Sequence, residues 1–474
     1  MSTSALELRA AVDRARVAAA LEAHGLTIAV GALAVGLLVV LTAGAGMASD
    51  SWLALVGGRE IVEHGLPVRD HLATVTAGRR WADQQWLGQL GLYGLYRLTH
   101  HGYAVVVMLL TSLPALIGAL ALGRRRGTDR TVAAIALVSV LPFLMEAARA
   151  RTQSLAYALF AVLLALLLSR QIWWVRIASL LVIALWANVH GSVLIAAGIA
   201  SIRWLQDARS SPRRTGLLLA ATWLATLCSP YASRLPGYYH STTLNPAFGE
   251  VLSQWQPLGF STRAVPTWLL AAAVVGLIAR RVRRVWRFEP AVLLVLVALT
   301  IHSVRVAPFL ALAAIVLLPR VIVRAESLQP ASQFRAAVAV AALALSAIFS
   351  VAALTHVRFS PYHSQAAAAL VTRGGDGNVF VSLELGDWLL WMEPGLRGRV
   401  AADARAELLT PDELRRFAKL WKGAEGWRRL TVGYGSFLLS PTDERWLVRR
   451  LVSRPARYRV AYRDAKLVVV VRRS

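Results

Sequence analysis

Eleven apolar blocks, each near the length that crosses about 30 Å of hydrocarbon, dominate this chain. They fall at about 27–48, 103–122, 131–147, 153–169, 175–189, 191–205, 215–229, 266–280, 290–303, 306–319 and 336–355. A chain of 474 residues that is 57% hydrophobic and 16% charged cannot bury that much apolar surface in one soluble core. Lipid must be part of its solvent. The pattern therefore predicts a polytopic α-helical membrane protein.

The net charge of +26 belongs to this architecture and not to nucleic-acid binding. Before residue 357 every basic residue is Arg, mostly in short clusters between apolar blocks. With the N-terminus in the cytoplasm, the inner segments carry 21 Arg and the longer outer loops 10. That is the bias the positive-inside rule produces. An odd number of spans then puts the C-terminal end outside. The single cysteine, Cys228, excludes an internal disulfide.

Two segments break the apolar rhythm. The loop 50–102 between the first two spans holds Asp50, Glu60, Glu63, Asp70 and Asp83. Its stretches Trp52–His64 and Trp81–Leu98 have the aromatic, amphipathic character of helices lying at the membrane surface. After residue 356 the composition becomes charged, with 21 Lys and Arg against 12 Asp and Glu. Strands are expected at Asn378–Ser382 and Arg399–Ala402, and a terminal hairpin from Tyr458–Tyr462 and Leu467–Val471. Thr410-Pro-Asp-Glu413 is a capping box opening a helix to about Lys422, and Ser440-Pro-Thr-Asp443 opens another. The expected division is a transmembrane domain, 1–356, and a small extracytoplasmic α/β domain, 357–474.

The loop reads Asp50-Ser-Trp52, Gly65-Leu-Pro67-Val-Arg-Asp70, Thr76-Ala-Gly78-Arg-Arg-Trp81 and Gln85-Trp86-Leu87. It resembles the first loop of the GT-C superfamily of membrane glycosyltransferases. The likeness is to the bacterial branch related to protein O-mannosyltransferases and aminoarabinose transferases. Arg151-Thr-Gln153, Trp186-Ala-Asn-Val-His-Gly191, Ser229-Pro-Tyr231, Ser253-Gln-Trp-Gln-Pro257 and Gly386-Asp-Trp-Leu-Leu-Trp391 followed by Asp403-Ala-Arg405 extend the likeness along the chain. Gln85 and Gln254 depart from it, standing where many relatives carry acids.

The resemblance implies transfer of a sugar from a polyprenyl phosphate to an envelope acceptor at the outer face of a bacterial cell membrane, with inversion. Such chemistry needs a carboxylate base and cations for the leaving phosphate. The candidate bases are Asp50, which follows the first span, and Asp70. A helix cap and a turn are the structural alternatives for the two. The candidate phosphate and substrate ligands are Arg149, Arg151, Gln153, His190 and Arg305, at outer helix ends where Arg also snorkels to headgroups. No metal-ligand spacing is present and no cofactor is required beyond the lipid-linked donor; a divalent cation finds no support in the sequence. The implied partners are membrane lipid, the lipid-linked sugar and a glycan, lipid or protein acceptor. The rival functions are a flippase for a lipid-linked sugar and a catalytically silent relative. The C-terminal domain is expected to shape acceptor access without supplying the base, with Asp403-Ala-Arg405 as a structural salt link. Sugar, acceptor, lipid length and oligomeric state have no signature in the sequence.

Overall fold

The computed structural model describes residues 3–281, 285–322, 332–375, 377–421 and 430–473. Arg283, Arg284, Arg324 and Lys422, which entered the charge and helix expectations, lie outside the described residues. The chain is a multi-pass helical bundle with a small sheet layer at one end. The bundle comprises α1 (Thr3–Ala45), α4 (Tyr103–Leu110), α5 (Ser112–Arg124), α6 (Asp129–Ala147), α7 (Thr152–Leu168), α8 (Trp173–Trp186), α9 (Val193–Leu205) and α10 (Pro212–Ala225), then α13 (Val265–Arg281), α14 (Phe288–His302), α15 (Ala307–Ile322) and α16 (Gln333–Leu354). The second expected span is thus two helices, broken at Thr111. Among the described residues, six stretches, three of them in α1, α6 and α16, are long and apolar enough to cross a membrane; α7, α8, α9 and α14 are shorter apolar helices.

Helix α15 is the axis of the bundle. It is apolar all round, and every residue from Ala307 to Pro319 is buried. That is the signature of a helix surrounded by other helices rather than lining a surface. Helices α5, α6, α7, α13 and α14 pack around it.

Outside this core, α1 and α16 lie side by side along most of their length. They approach closely at Gly25, where an added Cβ would stand 2.2 Å from the Arg335 carbonyl oxygen. Beside that contact a buried carboxylate ties four helices together. Asp129 accepts hydrogen bonds from the Leu26 and Thr27 amides, both at 3.0 Å, and from Thr27 Oγ1 at 2.7 Å. Arg124 and Arg335 stand 3.9 and 3.7 Å from the same carboxylate.

Between the first two spans lie α2 (Ser49–His64) and α3 (Trp86–Thr99). They do not lie free on the bundle surface. In α2, nine residues including Trp52, Leu53, Leu55 and Val56 are buried, because the C-terminal domain covers the helix and α18 (Gly386–Met392) packs directly on it. Helices α11 (Leu235–Thr243) and α12 (Pro246–Val251) complete this end.

The C-terminal domain has a four-stranded mixed sheet in the order β1-β2-β4-β3. The strands are β1 (Val379–Val381), β2 (Ser436–Leu439), β3 (Tyr458–Arg463) and β4 (Val468–Arg472), flanked by α17 (Ser364–Gly374), α19 (Pro411–Trp421) and α20 (Arg445–Val452). The hairpin and β1 stand where the sequence predicts them. Arg399–Ala402 is not a strand: Val400 makes only isolated bridges to Ala73 and Val379. The capping box forms, with Glu413 N donating to Thr410 Oγ1 at 3.3 Å and Thr410 N to Glu413 Oε2 at 2.9 Å.

Gly25→Ala should lower the melting temperature of the detergent-solubilised protein, with overpacking worth roughly 1–3 kcal/mol. Gly44→Ala, where an added Cβ meets nothing within 4 Å, should leave it unchanged. Equal effects would remove the α1–α16 contact as a determinant of stability.

Candidate active site

A cavity of about 1460 Å³ lies between the bundle and the sheet domain. It exists because several helices stop short. At 13–17 residues, α7, α9 and α14 fall below the length that crosses about 30 Å as straight helices. Thr152 at the start of α7, Gly191 and Ser192 before α9, and Leu299 and His302 at the end of α14 all line the space.

Asp50 lies in the first turn of α2, where free backbone N–H groups favour a carboxylate. It faces the cavity, and its side chain is 27% exposed. Its Oδ2 stands 3.4 Å from Arg151 Nη1, while Oδ1 takes part in no hydrogen bond among the described residues. Arg151 itself is fully buried behind this wall. Its Nη1 also donates to Gln254 Oε1 at 2.9 Å, and its Nη2 donates to Glu146. With its terminal nitrogens committed to protein, Arg151 orients Asp50 and Gln254. The neutral amide at Gln254 makes sense here. A third carboxylate beside Asp50 and Glu146 would leave excess negative charge around one guanidinium, whereas the amide accepts from Arg151 and keeps N–H donors for the cavity. Gln85 also lines the cavity and accepts from Thr152 Oγ1.

Arg305 sits in the short turn Val304–Val306 at the head of the central helix. Its Nε donates to Gln153 Oε1 at 3.1 Å, and the Gln153 amide donates back to the Arg305 carbonyl at 3.2 Å. Its Nη2 lies 2.9 Å from His190 Nε2. A guanidinium only donates, so Nε2 accepts, while Nδ1 lies 2.8 Å from Ser192 Oγ and accepts from the Ser192 amide at 3.1 Å. Burial, with Arg305 and Arg151 close by, holds the His190 pKa well below its usual value. The guanidinium also stacks over Trp255, 5.3 Å from the ring centroid. These contacts leave Nη1 without a partner among the described residues.

Asp50, Gln153, His190 and Arg305 therefore share one cavity, and Arg151 touches Asp50 from behind it. Arg149 and Asp70 are not among the lining residues. Arg149 lies 3.9 Å from Glu146 with its side chain 37% exposed.

Asp70 is fully buried and satisfied on every side. It accepts from Arg405 Nη2 at 2.7 Å, from Thr76 Oγ1 at 2.5 Å and from the Leu72 amide at 2.8 Å. The loop motif builds this arrangement. Gly78, at φ +74, turns the chain so that its amide meets the Asp70 carbonyl at 2.9 Å. Trp81 then lies under Arg405, whose guanidinium carbon is 4.3 Å from the ring centroid. Arg405 also binds Asp403 through Nε, at 2.9 Å, and Nη2, at 2.5 Å, so the expected salt link is in place and extends to the loop. Although Asp70 is buried, Arg405 and the hydrogen bonds hold its carboxyl below the usual range.

Sequence reasoning missed the acids that the C-terminal domain brings to the cavity: Glu384, Glu407, Asp443 and Glu444. Asp443 reads in the sequence only as part of a helix start and the other three belong to no motif, so only the docking of the domain gathers them. Burial pushes Glu407 up to about 7, with Asp403 and Asp50 adding to the rise. Asp83, just behind the wall, is pushed up to about 7 by burial and by Glu407. Glu384 opens to the cavity yet is walled by protein, and burial followed by the charges of Asp443 and Asp50 raises it too. No three metal-ligating side chains stand together among the described residues.

No family model matches the chain, and no curated protein sequence matches it. Solved structures do. The chain superimposes on ArnT from Cupriavidus metallidurans bound to undecaprenyl phosphate with a TM-score of 0.52 and 14% identity, covering 93% of this chain and 97% of that one. It superimposes on the Archaeoglobus fulgidus oligosaccharyltransferase in the apo form with a TM-score of 0.51 and 12% identity, covering 88% and 69%. The oligosaccharyltransferase AglB from Archaeoglobus fulgidus, in complex with an inhibitory peptide and a dolichol-phosphate, gives a TM-score of 0.51 at 11% identity, with the same coverage. The fold is that of the GT-C membrane glycosyltransferases.

A carboxyl raised in the folded state is protonated there while its unfolded counterpart, near 4, is ionised. The stability it contributes is complete below pH 4 and lost as pH rises to about 7. The melting temperature of the solubilised protein should therefore fall between pH 5 and 8. The double variant Asp83→Asn, Glu407→Gln should show a flatter profile. An unchanged slope in the variant would mean that these two carboxyls do not titrate in this window.

Proposed function

We propose that the protein is a glycosyltransferase that moves a sugar from a polyprenyl-phosphate donor to an acceptor hydroxyl of the cell envelope. The observation that carries this reading is the sharing of one cavity by Asp50, with an unbonded oxygen, and Arg305, with an unbonded guanidinium nitrogen. The neighbours of like fold, one bound to undecaprenyl phosphate and one to a dolichol-phosphate, supply the donor class.

In the proposed reaction Asp50 takes the proton of the acceptor hydroxyl. That oxygen attacks the anomeric carbon on the face opposite the phosphate, and the bond from that carbon to the phosphate oxygen breaks. The configuration inverts, and the electron pair leaves with the polyprenyl phosphate. Arg305 receives the growing charge, already fixed by Gln153, His190 and Trp255, so little reorganisation is needed as the bond breaks. Arg151 holds Asp50 in place. Leu194, Ile195, Val306 and Phe309 line the same cavity and offer the isoprenoid an apolar wall. Asp70 serves as a positioning residue, and Arg149 has no assigned contact with the donor.

The proposed setting is a bacterial cell membrane, with the N-terminus cytoplasmic and the sheet domain and cavity at the outer face. The flippase reading lacks an observation in its favour. Such proteins place ionisable groups at mid-membrane, whereas the central helix is apolar from Ala307 to Pro319.

Reconstituted protein should transfer label from at least one member of a panel of polyprenyl-phosphate sugars. Asp50→Asn should reduce the rate about a hundredfold or more, the range for loss of a general base, with unchanged melting temperature. Near-normal transfer by the Asn variant would remove Asp50 as the base, and absence of transfer across the whole panel would defeat the reading.

A further inference from the structure

The cavity continues onto the surface of the sheet domain. A groove of about 570 Å³ runs along α20, and Thr442 and Asp443 line both spaces. Helix α20 turns Leu447, Val448 and Leu451 inward. Its outer face presents Arg445 and Arg449, both exposed, beside the half-buried Trp446.

This outer face concentrates positive charge. Arg445 and Arg449 are spaced i, i+4, where like charges repel, and neither pairs with a carboxylate among the described residues. Asp443, at the join of the two spaces, is engaged by Ser440 Oγ at 2.7 Å. Trp446 is fixed by a hydrogen bond from Nε1 to the Leu420 carbonyl at 2.5 Å. Its half-buried ring lines the groove together with Arg445 and Arg449.

We propose that this groove is an acceptor subsite, where an anionic sugar bearing a carboxylate or phosphate is gripped by Arg445 and Arg449 against Trp446 while the reacting end of the glycan occupies the cavity. The proposal rests on the glycosyltransferase reading for the word acceptor. Guanidinium groups pair in bidentate fashion with carboxylate and phosphate, and an anchored indole stacks on the apolar face of a sugar. Continuity with the cavity favours a chain that passes from one to the other. A membrane-docking helix would instead present its aliphatic residues outward, whereas Leu447, Val448 and Leu451 of α20 are buried.

The test is direct binding by calorimetry to the full chain in phosphatidylcholine nanodiscs. The probes are hexagalacturonate, a phosphorylated mannan fragment and neutral maltohexaose. Wild type should bind one or both anionic probes with an affinity that falls as salt rises, and should not bind maltohexaose. The double variant Arg445→Gln, Arg449→Gln should bind at least about tenfold more weakly, a loss set by two charge-assisted contacts. It should keep the wild-type melting temperature. Arg454→Gln, Arg457→Gln, altering basic residues outside the groove, should bind as wild type. The anionic probe that binds identifies the charged group as carboxylate or phosphate. Equal binding by wild type and the groove variant, no binding of either anionic probe, or equal binding of maltohexaose would overturn the proposal. So would a groove variant that keeps glycan affinity but loses binding to phosphatidylglycerol vesicles, which would make the surface lipid-facing. Asp50→Asn should bind the probe normally. A protein that binds the probe but never transfers sugar would thus defeat the reading of function and leave the groove standing.

Discussion

The arrangement of the two halves of this protein depends on one buried guanidinium. Arg405 is 1% exposed and stands between Asp403 of its own domain and Asp70, 335 residues earlier in the chain. Charges this deeply buried are tolerable only when paired and hydrogen-bonded. Removing any one of the three leaves the others uncompensated. The link therefore specifies a single docked position for the sheet domain. Peripheral contacts follow from it: Arg79 with Glu413 at 2.6 Å, and Arg397 with Glu60 at 2.9 Å. Glu407, two residues beyond Arg405, is carried to the cavity by the same docking.

The bundle meets a different constraint. A membrane demands apolar helices of a set length, whereas the proposed group transfer demands polar groups that water and a phosphate can reach. Here α15 satisfies the first along its buried length and places Arg305 in the turn before it. The shorter helices around it end at the cavity, and the space above them is closed by α2 and the sheet domain. Charged chemistry thereby sits at the end of the bundle without entering the apolar interior.

Much of this was legible in the sequence because it is local. Apolar runs of spanning length, the capping box at Thr410 and the alternation at Tyr458–Val471 each declare themselves within a few residues. The loop motif was legible as a motif, but its physical role was not. Gly78 and Thr76 exist to satisfy Asp70, and Asp70 to receive Arg405, a partner that no spacing announces. The candidate site divides in the same way. Asp50, Gln153, His190 and Arg305 stood out as polar residues at helix ends, and they share the cavity. Arg151 looked like a phosphate ligand because, beyond the nearby Glu146, its partners Asp50 and Gln254 come from distant segments. Glu384, Glu407, Asp443 and Glu444 carried no local signal for a site, since only tertiary docking brings them to the cavity.

The central claim is that the cavity receives a lipid phosphate at Arg305. Equilibrium binding of undecaprenyl phosphate to the purified protein in neutral lipid tests it without reference to acceptor or sugar. The account predicts saturable binding that weakens about tenfold or more in Arg305→Gln, the loss expected for a charge-assisted contact to phosphate, and that is unchanged in Arg79→Gln, outside the cavity. Binding of equal strength in wild type and Arg305→Gln would contradict it.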